Sequence, residues 1–143
     1  MRGLITSERA AKIYRYLDES GPAPAEALEA LWGRNKAERA LKSLRGAGYV
    51  RTTRIRGVEM VYLRGCSPVA EDIARGWFAA RLAEAGGWYS ASEGKAYFPR
   101  GQVYPVVARL DRVEFDKFFA VVEDLKAKPL KDALRVKQHG NFS

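Results

Sequence analysis

The chain is poor in the residues that staple, ligate or anchor. A single cysteine, Cys66, occurs in 143 residues, so no internal disulfide can form and a disulfide-stapled secreted scaffold is excluded. One cysteine and one histidine cannot build a Cys/His structural zinc site. No apolar run approaches the roughly 18 residues that a membrane span needs, so no membrane partner is expected. The opening segment MRGLITSERAAK holds no long apolar stretch, so no signal peptide is expected, and a reducing, cytoplasmic location is. A phosphate loop ending in Lys-Ser/Thr, a GxGxxG fingerprint and a GxSxG nucleophile elbow are all missing. His139 stands close to the chain end, where order is least expected, and makes a poor base for a hydrolytic triad. The expectation is therefore no catalytic residue, no metal and no cofactor.

What is present is a core-forming composition and an uneven charge. Hydrophobic residues make up 47% and charged residues 29%, which reads as globular rather than disordered. The length suits one domain, or two small ones sharing a core. Lys and Arg number 25 against 17 Asp and Glu, a net charge of +8. Residues 1–65 carry 13 basic and 7 acidic side chains, and residues 66–143 carry 12 and 10. The excess is narrower still: nine bases lie between Arg34 and Arg64, opposed only by Glu38 and Glu59. A solvated surface interleaves signs, so this block points to an anionic partner, nucleic acid first.

The N-terminal half reads as three helices and a hairpin. Thr6 or Ser7 can cap a helix in which Ala10, Ile13, Tyr14 and Leu17 form one apolar stripe. Gly21-Pro22 ends it. A second, short helix starts near Pro24, buries Ala27, Leu28, Leu31 and Trp32, and stops at Gly33. Asn35 with Glu38 looks like a capping box for a third helix over 35–46. Stepping about 100° per residue puts Ala37, Ala40, Leu41 and Leu44 on its core side. Asn35, Arg39, Lys42, Ser43 and Gly46 then face outward, flanked by Lys36 and Arg45. After Gly48, Tyr49–Arg54 and Val58–Leu63 are β-branched and aromatic, joined by Ile55-Arg56-Gly57, the pattern of a hairpin.

Three helices with a tight second-to-third turn, then a hairpin, resemble the winged helix-turn-helix superfamily. The residues that carry the resemblance are GRNKAERALKSLRGAGYVRTTRIRGVEMVYL, within 6–64. It implies double-stranded DNA as partner, with helix 35–46 in the major groove. Asn35, Lys36, Arg39, Lys42, Ser43 and Arg45 would meet bases or phosphates there. Arg51, Arg54 and Arg56, clustered toward the hairpin tip, would hold the backbone. Some members of the superfamily serve only as protein-interaction modules, which is the alternative use of the same fold.

The second half reads as a small α/β unit. Ser67-Pro68 opens a helix running to about Ala85, with Ala70, Ile73, Ala74, Trp77 and Phe78 on one stripe. That stripe fits either internal packing or a homodimer built through the 68–85 helix. Three glycine-bounded segments, WYSASEG, KAYFPRG and QVYPVVARL, read as strands, with Pro105 marking an edge or a bend. Residues 113–127 fit a helix or a strand, and the turn at Glu114–Lys117 favours a strand at 118–122. A last helix is expected from Pro129 to about Lys137. The fold expected is α+β: a winged helix-turn-helix over 1–65, then helix, antiparallel strands and terminal helix over 66–143, where dimerisation or partner binding would reside.

FPRGQVYPVV and FFAVVEDLKAKPLKDALRVK also resemble the nuclease-like half of plasmid replication-relaxation proteins, which begin with a winged helix. The Pro-Asp motif of that family would fall at Pro105, but Val106 follows it, so a nuclease site here would be degenerate. The function expected is a sequence-specific DNA-binding regulator of transcription or of a plasmid or mobile element, not an enzyme. The enzymatic alternative is a metal-dependent nuclease drawing on Asp111, Glu114, Asp116, Glu123 and Asp124. These acids interleave with Arg109, Arg112, Lys117 and Lys126, which favours ion pairing instead.

Overall fold

The computed structural model describes residues 7–138. Thr6, one of the two expected caps, and His139 lie outside the described residues. Helix α1 spans Glu8–Ser20, and Ser7 caps it by accepting a hydrogen bond from the Ala10 amide at 3.2 Å. Strand β1 (Ala23–Pro24) and helix α2 (Ala25–Trp32) follow. Gly33, at φ 90°, turns the chain directly into α3, Arg34–Gly46. Asn35 is therefore not the cap of α3. Gly33 occupies that position without a side-chain bond, and Glu38 pairs with Arg34 at 3.2 Å instead of closing a capping box.

Strands β2 (Val50–Ile55) and β3 (Val58–Leu63) form a hairpin. The first strand is shifted one residue from its expected start. Its turn is the pair Arg56-Gly57, both left-handed at φ 52° and 77°, the conformation that two-residue hairpins prefer. Strand β1 adds to the other side of β3, pairing Ala23 with Val61 and Pro24 with Met60, to give an antiparallel sheet of order β1-β3-β2.

Helix α4 covers Asp72–Glu84, four residues short of the expected start at Pro68. The buried Asp72 carboxylate accepts from the Val69 amide at 2.8 Å and pairs with Arg75, so this acid organises the helix entry in place of Ser67. Strands β4 (Trp88–Ser90), β5 (Lys95–Tyr97) and β6 (Val103–Pro105) make a second antiparallel sheet. After Pro105 the chain leaves it and enters a third. That sheet holds β7 (Val107–Ala108), β8 (Arg112–Phe115), β9 (Phe118–Val121) and β10 (Arg135–Val136), in the order β10-β9-β8-β7. Helices α5 (Val122–Ala127) and α6 (Leu130–Ala133) lie between β9 and β10. The ambiguous segment 113–127 is thus strand to Val121 and helix after it. The expected last helix is a single turn, because residues 135–136 pair with Phe118 and Phe119 instead of continuing it.

The whole is a mixed α+β chain with antiparallel sheets, built on two apolar clusters. One joins Ala10, Ile13, Leu17, Leu28, Leu41 and Leu44 to Val50 and Val61 of the hairpin. The other surrounds α4 and includes Phe78, Tyr89, Val113, Phe115 and Leu125. Ala27 and Met60 from the first half belong to this second cluster. The phenol of Tyr16, edge-on to Trp32 at 5.1 Å, has a buried hydroxyl, and that burial drives its pKa well up.

Helix α4 corrects the amphipathic reading. It is buried nearly all round, on Ala74, Gly76, Ala79 and Ala80 as well as on Trp77 and Phe78. A Cβ on Gly76 would stand 2.5 Å from the Pro24 ring and 2.9 Å from the Ala23 Cα, so only glycine lets the helix seat on β1. Nearby, Ser20 Oγ donates to the Tyr89 carbonyl at 3.1 Å, and the Ala91 amide donates to the Glu19 carbonyl at 2.8 Å. With its stripe spent inside the chain, α4 has none left for a dimer through 68–85. The physical reason is its small residues, which let β1 approach on the side opposite the stripe.

Candidate nucleic-acid interface

The apolar stripe of α3 sets the direction of everything else on that helix. Ala37, Ala40, Leu41 and Leu44 are buried, as their spacing requires. Asn35, Lys36, Arg39, Lys42, Ser43 and Arg45 are all exposed on the remaining surface. Thirteen residues at 1.5 Å each make α3 about 20 Å long, ample to follow a major groove.

The hairpin sorts its arginines by the period of two. Val50, Thr52 and Arg54 share one face with Glu59, Val61 and Leu63, and this face carries Val50 and Val61 to the helices. Arg51, Thr53 and Ile55 share the other face with Val58, Met60 and Tyr62. Arg51 stands opposite Tyr62 near the base of the hairpin, not at its tip, and on the face away from Arg54. The expected cluster of three is therefore a pair: Arg54 and Arg56 mark the tip, and Arg51 is apart from them. Arg54 Nη1 donates to the Gly57 carbonyl at 2.8 Å, which ties the guanidinium back across the turn. Arg54 also lines one groove of about 690 Å³ with Lys42 and Arg45 of α3. The geometry thus joins three of the nine expected residues around one concavity. Asn35, Lys36, Arg39, Ser43, Arg51 and Arg56 do not line it.

Pairing separates the two halves of the chain. Of the nine bases between Arg34 and Arg64, only Arg34 has an acidic partner among the described residues. Of the twelve bases after residue 65, eight have one, namely Arg75, Arg81, Arg109, Arg112, Lys126, Lys128, Arg135 and Lys137. The second half neutralises its own charge and the first does not. An uncompensated positive surface on a helix and an adjoining hairpin can attract and orient a polyanion.

The acids of the alternative metal site are largely taken up by these pairs. Asp124 faces Arg135 at 2.7 Å and Lys128 at 3.7 Å, and Glu123 faces Lys126 at 3.8 Å. Burial works to raise the pKa of Glu114, but Arg109 at 2.9 Å and Lys137 at 3.5 Å outweigh it and hold the carboxyl below its ordinary range. Asp111 is likewise lowered, chiefly by its hydrogen bond from Arg112. No group of three or more His, Cys, Asp or Glu residues is placed to hold a metal among the described residues. No helix there is long and apolar enough to cross a membrane.

Sequence reasoning missed the acids facing this surface: Glu26 and Glu29 of α2 line the same groove. Their spacing of three, beside the apolar Ala27 and Leu28, was a visible sign of one acidic helix edge. Comparison with protein-family models, curated proteins and solved structures finds no match to the chain.

Proposed function

We propose that residues 7–64 work as a winged-helix unit and that the chain is a sequence-specific duplex-DNA-binding regulator, of transcription or of a plasmid or mobile element. The observation that carries this reading is the block of eight bases that have no acidic partner among the described residues, on α3, the hairpin and its flank, where most of the other described bases are paired. The element order of helix, strand, helix, helix and hairpin supports it, as does the two-residue turn separating the extended β2 and β3. In this reading α3 lies in the major groove. Arg39 and Lys42 reach base edges, and Lys36, Arg45, Arg54 and Arg56 hold phosphates. The homodimer expectation keeps its other route, through the remainder of the C-terminal half.

Fluorescence anisotropy with duplex DNA over a salt series tests the proposal. Six contacting cations give a slope of about −5 in log K against log salt. Arg39→Ala/Arg54→Ala should flatten it by about one to two. Absence of binding at low salt, or an unchanged slope in the variant, refutes it. Selection from a random duplex library should enrich one sequence, and no enrichment would remove the claim of specificity.

A further inference from the structure

The groove shared by Lys42, Arg45 and Arg54 is lined by both signs: Arg34 and Glu38, paired with each other, Glu59 and Lys126 lie on it together with two acids of α2. Those two, Glu26 and Glu29, stand three residues apart on α2. Elsewhere in this chain, acids and bases within reach of each other form ion pairs, as around Glu114 and Asp124. Here Glu26 and Glu29 of α2 and Lys42 and Arg45 of α3 line a single cavity, and none of the four is in an ion pair among the described residues. The cavity between them measures about 690 Å³, within the range of small-molecule sites. Its apolar lining is the half-buried Val58, with small exposed edges of the otherwise buried Leu41 and Trp77.

We propose that this groove binds a small zwitterion of dipeptide size with apolar side groups. Its anionic end meets Lys42, Arg45 and Arg54, its cationic end meets Glu26 and Glu29, and its apolar body lies on Val58 and the exposed edges of Leu41 and Trp77. A ligand bearing both signs bridges charges that the protein itself leaves apart. Charge-assisted hydrogen bonds at both ends supply orientation, and the apolar lining supplies burial. Because the anionic end uses three cations of the DNA-facing surface, bound ligand and duplex DNA compete. That competition, unlike the site itself, rests on the DNA-binding proposal.

The test is calorimetric titration of the full chain with the dipeptide L-phenylalanyl-L-leucine, with its N-acetylated form and with its C-terminal amide. The free dipeptide should bind, and each blocked form should bind about tenfold more weakly or worse, since each loses one charge-assisted contact set. Glu29→Gln and Arg45→Gln should weaken the free dipeptide similarly, with unchanged circular dichroism. Arg45 is exposed and Glu29 half-buried, and neither is in an ion pair among the described residues. No heat at about 10 mM dipeptide, where even a millimolar complex would saturate, overturns the site. So does equal binding by either blocked form. DNA binding with no dipeptide binding refutes this site alone, whereas dipeptide binding with no DNA binding refutes the regulator and leaves the site. If both bind but the dipeptide leaves DNA bound, the shared cations are refuted.

Discussion

Replacing Gly76 by alanine tests how the two halves of the chain are joined. In an open helix interior this change gains about 1 kcal/mol, because alanine is the better helix former. At Gly76 the new Cβ meets the Pro24 ring at 2.5 Å, the Ala23 Cα at 2.9 Å and the Pro22 carbonyl oxygen at 3.1 Å. These atoms belong to a proline ring and to backbone, so no flexible side chain can swing away. Overpacking of this kind costs about 1–3 kcal/mol and here also has to cancel the helix gain. Against rigid atoms this close the cost falls at the upper end of that range, about 3 kcal/mol, which leaves a net loss of about 2 kcal/mol, or a fall in Tm of roughly 6–8 °C for a chain of this size. Thermal and urea melts followed by circular dichroism measure it. Gly46→Ala is the matched control: its Cβ would meet no heavy atom within 4 Å, so stability should hold or rise by up to about 1 kcal/mol. A Gly76→Ala protein that melts at or above the parent temperature would refute the seating of α4 on β1.

Two further outcomes are expected. Arg56 sits at φ 52°, a left-handed turn position that suits asparagine or glycine, so Arg56→Asn should stabilise the hairpin by about 0.5 kcal/mol in urea melts. The same change should flatten the DNA salt slope by about one, and a variant that gains stability with no loss of slope would show that Arg56 touches no phosphate. For Glu114, the folded pKa lies below the unfolded value near 4.3, so its pairs with Arg109 and Lys137 stabilise the fold above that value. The contribution is lost as pH falls through the folded value. Tm should therefore drop on acidification below about pH 5, and less steeply in Glu114→Gln. Identical profiles for parent and variant would remove Glu114 from the acid response.

Local signals in the sequence were good guides where local chemistry decides the structure. The Ser7 cap, the stop at Gly21 and the extent of β3 are of this kind, since each rests on one side chain or one alternation. The errors fall where distant partners decide. Arg135 and Val136 stand where the helix was expected to continue, yet β9 captures them as a strand. Ser67-Pro68 is a sound start signal that loses to Asp72, whose carboxylate is held by Arg75 and the Val69 amide. The heptad-like stripe of α4 was real, but the small residues Gly76, Ala79 and Ala80 behind it were the sign of a second packed face. In the candidate interface, the outward residues of α3 were legible from angle alone. The separation of Arg51 from Arg54 was legible too, because three residues along a strand reverse the side-chain direction.

The hairpin is what couples the candidate DNA-facing surface to the rest of the molecule. Its two faces belong to different cores: Val50 and Val61 pack among the first three helices, while Met60 lies in the cluster around α4, with Ile55 and Val58 against it. The hairpin therefore cannot tilt relative to α3 without disturbing one cluster or the other. Strand β1 adds a second constraint, since it pairs with β3 on one side and receives Gly76 of α4 on the other. The distance between Lys42 and Arg45 on α3 and Arg54 at the hairpin tip is thus set in part by residues after 65, among them Gly76, which does not line their groove. A change in the seat of α4 would reach the tip through β1 and β3 as a displacement of paired strands, with no need for a hinge. The second half then acts as the support that holds two positive elements at a fixed spacing. Under the proposed DNA-binding reading, substitutions around α4 should therefore lower duplex affinity in anisotropy titrations as well as stability in thermal melts.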